Sequence, residues 1–159
     1  MTIKVGDRLP NTKFRVTTAD GAAWKTTDEI FKGKKVALFA VPGAFTSTCS
    51  RQHLPSIVQN ADALKAKGVD LIAVTAVNDA AVLNEWKKAS GADKVEFLAD
   101  GSADFAKAIG LDTDLSANGM GIRSRRYSML VEDGVVKKLN VEEPGKFEVS
   151  GGDVMVKQI

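Results

Sequence analysis

Cysteine is almost missing from this sequence, with Cys49 alone among 159 residues. A single thiol excludes an intramolecular disulfide, a secreted disulfide framework and a two-thiol redox cycle within one chain, so any disulfide is made with another molecule. Histidine is just as scarce. Cys49 and His53, the one histidine, stand one helical turn apart, but two ligands do not make a zinc site and nothing else is present to complete one. An excess of charge is lacking too: 22 basic against 20 acidic residues leave +2, which argues for neither nucleic acid nor an anionic membrane as partner. No window approaches the roughly 18 apolar residues of a spanning helix, and MTIKVGDRLP at the start has no signal-peptide core, so a cytoplasmic protein is expected. Walker sequences are absent, and Gly119-Met120-Gly121 lacks the third glycine and the helix of a dinucleotide site.

What remains is ordinary globular composition, 44% hydrophobic and 26% charged. The length suits one domain over residues 1–159, burying roughly two thirds of its unfolded surface. Phe14 to Thr17 alternates like a strand and turns at Ala19-Asp20-Gly21 into a second segment near Ala23-Trp24. Asp28 to Phe31 reads as one helical turn. Val36 to Val41 and Val69 to Val77 read as buried strands, and the helix between them stops near Lys67-Gly68. Asn78 is placed to cap the next helix, with Val82, Leu83 and Trp86 on one face and Gly91 beyond its end. A third strand at Val95 to Ala99 and a short helix at Ser102 to Ile109 follow. Residues 111 to 125 are the least regular and are expected to be a surface loop. Arg126 to Glu132 and Val135 to Val141 read as strands joined by Asp133-Gly134, the pair that favours a type I′ hairpin, and the tail from Asp153 suits a final helical turn or two. The sum is an α/β chain: a mixed central sheet, parallel in its first half with an antiparallel edge, flanked by helices on both faces.

The chemistry concentrates in VALFAVPGAFTSTCSRQHL, Val36 to Leu54. The strand breaks at Pro42-Gly43, Ser47 and Thr48 are helix-capping types, and Leu54, Ile57, Val58, Ala61 and Leu64 recur at helical spacing. Cys49 then falls in the first turn of a helix, where unpaired backbone N–H groups and the positive end of the dipole favour a thiolate. The plainer reading of a lone cysteine is a small core residue. The hydroxyl-rich approach Thr46-Ser47-Thr48 weighs against that and suits donors converging on an anion. Thr46, three residues earlier, can turn its hydroxyl toward the sulfur or a bound oxygen, or can simply be an N-cap or loop hydroxyl. Pro42 can shield the sulfur from water or merely end the strand. Arg126, at the mouth of a strand containing Tyr127 and Met129, can hold an anion in its planar fork. Arg123 and Arg125 read as surface residues, and His53 as a satisfied packing histidine or a partner contact. Trp86, Met120, Met129 and Met155 read as packing.

Taken together these residues resemble a peroxiredoxin of the type-five, also called type II, subgroup. The family pattern Pro-x-x-x-Thr-x-x-Cys is met by Pro42, Thr46 and Cys49, and the late arginine by Arg126 in SRRYSMLVEDG. HLP at His53 to Pro55, AVND at Ala76 to Asp79 and LNVEEPGKFEVS extend the resemblance over nearly the whole chain. It implies a thioredoxin-like fold, a peroxidatic Cys49, Thr46 and Arg126 orienting the peroxide, and Pro42 limiting solvent. It implies no cofactor, a hydroperoxide substrate, a homodimer, and glutathione with glutaredoxin, or thioredoxin, as reductant. Ser47 stands where many relatives have proline, and the resolving cysteine of some relatives is missing here.

The expected reaction is attack of Cys49 on hydrogen peroxide or an alkyl hydroperoxide to give a sulfenic acid that thiols reduce. Two alternatives share the same sulfur. A monothiol transferase fits because Thr46-Ser47-Thr48-Cys49 occupies the place of a Cys-x-x-Cys, and a non-catalytic redox sensor needs only the oxidisable thiol.

Overall fold

The computed structural model describes residues 2–159. An amino-terminal hairpin pairs β1 (Lys13–Thr18) with β2 (Gly21–Thr26), and α1 (Thr27–Phe31) follows, closed by a capping box between Thr26 and Glu29. Next come β3 (Lys35–Ala40), β4 (Leu71–Ala76) and β5 (Glu96–Ala99), which pair in parallel through helical crossovers. Between β4 and β5 runs α4 (Ala80–Ser90), and after β5 comes α5 (Asp104–Ala108). The last strands are β8 (Tyr127–Glu132) and β9 (Val135–Val141), and α6 (Gly152–Gln158) ends the chain. One seven-stranded sheet results, in the order β2-β1-β5-β4-β3-β8-β9. It is mixed, because β8 runs antiparallel to β3 and β1 antiparallel to β5.

The period of two along β3 divides the interior. Ala37, Phe39 and Val41 point to one face, where Cys49, Leu54, Leu64, Leu83, Trp86 and Met155 cover them. Val36, Leu38 and Ala40 point to the other, against Phe14, Phe31, Phe105, Tyr127 and Met129. The β8–β9 turn needs two left-handed residues, and Asp133 and Gly134 have φ of 50° and 80°, as a type I′ turn demands.

Four local expectations are corrected. The helix after β3 is not one α-helix. It begins at Ser47, passes through a wider π turn over Cys49–His53, continues as α2 (Leu54–Gln59), breaks at Asn60, and resumes as α3 (Ala61–Ala66). Pro55 accounts for the wide turn: it has no N–H, and its ring crowds the carbonyl four residues back, so the preceding turn opens and Leu54 N–H reaches the Cys49 carbonyl. Asp79, not Asn78, caps α4, its carboxylate accepting Val82 N–H at 2.8 Å. Val82 itself faces solvent while Leu83 and Trp86 are buried, because α4 turns only one narrow stripe to the core. Residues 111 to 125 are not a plain loop but contain a second small sheet, β6 (Asp112–Asp114) against β7 (Ile122–Ser124), with a 3₁₀ turn at Ser116–Asn118. No helix among the described residues is long and apolar enough to cross a membrane.

Candidate active site

The end of β3, the π turn and the start of β8 meet at the Cys49 sulfur. Cys49 is fully buried, on the second helical residue after Ser47, as its sequence position led us to expect. Its side chain is not enclosed by aliphatic groups alone. Arg126, reaching across from the first residues before β8, donates from Nη2 to Sγ at 3.1 Å. Such a contact is strongest when the sulfur carries negative charge.

The same guanidinium is fixed from its other side. Nη1 lies 2.8 Å from His53 Nδ1, and His53 Nε2 lies 2.9 Å from the Ser150 carbonyl. A guanidinium can only donate and a carbonyl can only accept, so His53 is neutral, with its proton on Nε2. Burial beside Phe39 and Phe147 disfavours the imidazolium, and the Arg126 charge adds to this, against the Ser150 hydrogen bond. Together they lower the His53 pKa from its usual 6.5 to about 3. Ser150 is held in turn by Glu142, whose Oε2 accepts the N–H groups of Glu148, Val149 and Ser150 and the Ser150 hydroxyl at 2.7–2.9 Å. Burial alone would raise the Glu142 carboxyl, but the Ser150 hydroxyl and those three N–H donors overturn it and hold the group below the usual carboxylate range. Two of the five guanidinium N–H donors of Arg126 are thus engaged, and the others remain for an oxygen ligand.

Thr46 is the loop hydroxyl that its position allowed. Its hydroxyl donates to the Gly43 carbonyl at 2.7 Å, and it caps no helix N–H through its side chain. Its oxygen lone pairs are what it offers to a ligand. Pro42, Thr48 and Arg126 line a cavity of about 280 Å³, completed by Thr113, Leu115, Arg125 and the segment Glu142 to Lys146. No cluster of three or more potential metal ligands occurs among the described residues.

Arg123 and Arg125, expected at the surface, are both half-buried and tied to backbone: Arg123 to the Met120 and Pro42 carbonyls, Arg125 to the Glu142 carbonyl at 3.1 Å. Asn78 serves the active-site loop and not the α4 cap. Its side-chain oxygen accepts Ala44 N–H at 2.9 Å and so steadies the loop before Cys49. His53 is buried with both ring nitrogens paired, the satisfied packing histidine that the sequence suggested, but its particular partners had no signal, because they lie 73 and 97 residues away.

Comparison with known proteins agrees with this geometry. A family model described as Redoxin matches residues 4–154. Peroxiredoxin-2E-2, chloroplastic, of Oryza sativa subsp. japonica is 47% identical over 99% of this chain and 73% of its own length. The chain belongs to the peroxiredoxins. Peroxiredoxin-2C of the same plant is 44% identical, covering 99% of this chain and 98% of its own. Among solved structures, reduced Prx3 of Vibrio vulnificus in complex with H2O2 superimposes with a TM-score of 0.96 at 49% identity, covering 99% of both chains. The fold of this peroxiredoxin is thioredoxin-like, and as in the family generally its chemistry needs no prosthetic group.

Proposed function

We propose that this peroxiredoxin is a cytoplasmic, homodimeric, thiol-dependent peroxidase that reduces hydrogen peroxide and alkyl hydroperoxides, with glutathione and glutaredoxin restoring it. The observation that carries the reading is the Arg126 guanidinium aimed at the Cys49 sulfur at 3.1 Å. Cys49, as thiolate, attacks the nearer peroxide oxygen in line with the O–O bond. A sulfur–oxygen bond forms as the O–O bond breaks, and the leaving oxygen takes a proton and departs as water or an alcohol. The free N–H groups of Arg126 stabilise charge that grows on the oxygens only as that bond breaks. Thr46, its own proton held by Gly43, accepts the hydroperoxide O–H and so selects which oxygen faces the sulfur. Pro42 limits water. The cavity of about 280 Å³ beside Pro42 and Arg126 is lined by neither Cys49 nor Thr46, and it is the space that would take the organic substituent of an alkyl hydroperoxide.

The resulting sulfenic acid condenses with a glutathione thiol, releasing water, and a second thiol frees Cys49 while the donor becomes a disulfide. No second cysteine exists in the chain to do this. Steady-state peroxide consumption with glutathione and glutaredoxin, compared with thioredoxin and its reductase, tests the reading. Sustained turnover with the glutathione system is expected. Turnover with thioredoxin alone would replace the reductant, and consumption of one equivalent would indicate a sensor. Reduction of a mixed glutathione disulfide without peroxide turnover would indicate a transferase. Wild-type consumption by Cys49→Ser would overturn the assignment altogether.

A further inference from the structure

Arg123 pairs with Thr113 in the ribbon β6–β7, which is separate from the main sheet. Its side chain leaves the ribbon for the loop before Cys49. Nε donates to the Met120 carbonyl at 2.9 Å, closing the ribbon's own turn, and Nη1 donates to the Pro42 carbonyl at 3.3 Å. Among the described residues this is the one hydrogen bond joining the ribbon to the Pro42–Thr48 loop. A planar fork can hold two carbonyls of different segments at once, whereas an ammonium is a point charge without that geometry.

Gly43 completes the fit. A Cβ there would stand 2.9 Å from Arg123 Nη1 and 3.2 Å from Thr46 Cγ2, although Gly43 is not in the left-handed region. A side chain at 43 would therefore push the guanidinium end of Arg123 aside and crowd the Thr46 methyl, with no objection from the backbone angle. The carbonyl of this same residue accepts the Thr46 hydroxyl at 2.7 Å. A line of contacts thus runs from the ribbon through Arg123 to the Pro42-Gly43 turn, and from that turn to Thr46 Oγ1.

We infer that Arg123 is a positioning residue for the peroxide step: its guanidinium, wedged between the ribbon and the Pro42-Gly43 turn, sets where the Pro42 ring and the Thr46 hydroxyl stand relative to the Cys49 sulfur. The inference rests on the peroxidase reading above. Reactions of this kind are sensitive to placement, and a shift of about 1 Å can cost on the order of a hundredfold in rate.

The test is the rate at which hydrogen peroxide oxidises Cys49 in the full chain, in a single turnover without reductant. Arg123→Ala is expected to be about tenfold to a hundredfold slower. Free guanidinium ion, below denaturing concentration, should restore part of that loss while leaving the wild-type rate unchanged. Arg123→Lys, which keeps the charge and loses the fork, should fall between. Gly43→Ala displaces the guanidinium with Arg123 still present and should reproduce the defect. Combined with Arg123→Ala it should add little, since both act through one contact. A wild-type rate in Arg123→Ala, or defects that simply multiply in the double variant, overturns the inference. If Arg123→Ala does not fold, wild-type rates in folded Gly43→Ala and Arg123→Lys overturn it instead. Wild-type protein that fails to react with peroxide removes the peroxidase reading itself, a result distinct from all of these.

Discussion

Arg126 and Tyr127 are adjacent in sequence and face opposite sides of the sheet. On the Arg126 side, hydrogen bonds run without a break from Cys49 Sγ through the guanidinium and imidazole to the Ser150 carbonyl, and the Glu142 carboxylate holds Ser150 in turn. On the Tyr127 side, the surroundings are Phe14, Phe31 and Phe105, and the buried hydroxyls of Tyr127 and Thr75 have no hydrogen-bond partner among the described residues. The acidic groups differ in the same sense. Glu142 is held low by its donors, whereas Asp100, near Tyr127, is raised by burial even though it accepts the N–H groups of Phe105 and Ala106. One face fixes a charge in place, and the other holds the sheet through apolar packing. Reactivity and stability are therefore separable by mutation.

The largest effect expected is on the apolar face. Phe105, fully buried with its ring 4.8 Å from that of Phe14, should cost about 3–5 kcal/mol of unfolding free energy as Phe105→Ala. Denaturant titration measures this, and the peroxide rate of the folded fraction should not change. Arg126→Ala should do the reverse, lowering the rate of Cys49 oxidation by roughly 10²–10³, about 2.7–4 kcal/mol, while the chain stays folded. A rate near wild type would break the contrast between the faces.

A smaller effect concerns pH. His53 has a folded pKa of about 3 against 6.5 when unfolded, so between those values the unfolded chain binds the extra proton and stability falls as pH is lowered. The slope approaches about 1.4 kcal/mol per pH unit inside that window. Glu142, also held low, contributes loss of the same sign at acid pH. Unfolding at pH 7 and pH 4.5 should therefore show a smaller acid loss in His53→Asn than in wild type, with the Glu142 part retained in both. Equal losses would mean that His53 is protonated in the folded protein. Smallest of all, Tyr127→Phe should stabilise by up to about 1 kcal/mol, because it removes a buried hydroxyl with no partner among the described residues. Destabilisation would reveal a hidden partner such as a bound water.

The strands, the parallel crossovers and the type I′ turn were legible because each is written in neighbouring residues: apolar runs, Gly68 and Gly91 at helix ends, Asp133-Gly134 at the hairpin. Cys49 and Arg126 were legible through motif spacing. The imidazole link was not, since His53 finds its partners 73 and 97 residues away. The π turn had one local signal, Pro55 inside a helical pattern. Asn78 and Asp79 illustrate the limit of cap prediction: both types suit the position, and only the tertiary approach of Ala44 N–H decides which one caps α4. Arg123 and Arg125 looked like a solvated basic run because charge alone does not reveal which carbonyls lie within reach.

The two members of the Cys49–Arg126 contact are rooted unequally. Arg126 precedes a strand hydrogen-bonded on both sides, and its carbonyl accepts Glu142 N–H at 3.0 Å, whereas the sulfur hangs from a widened turn whose first residues have no side-chain cap. Warming short of melting should therefore loosen the thiol's end first and leave the cation where it was. Deuterium uptake at the amides of Ser50 to His53, ahead of those of Tyr127 to Leu130, would register that order of release.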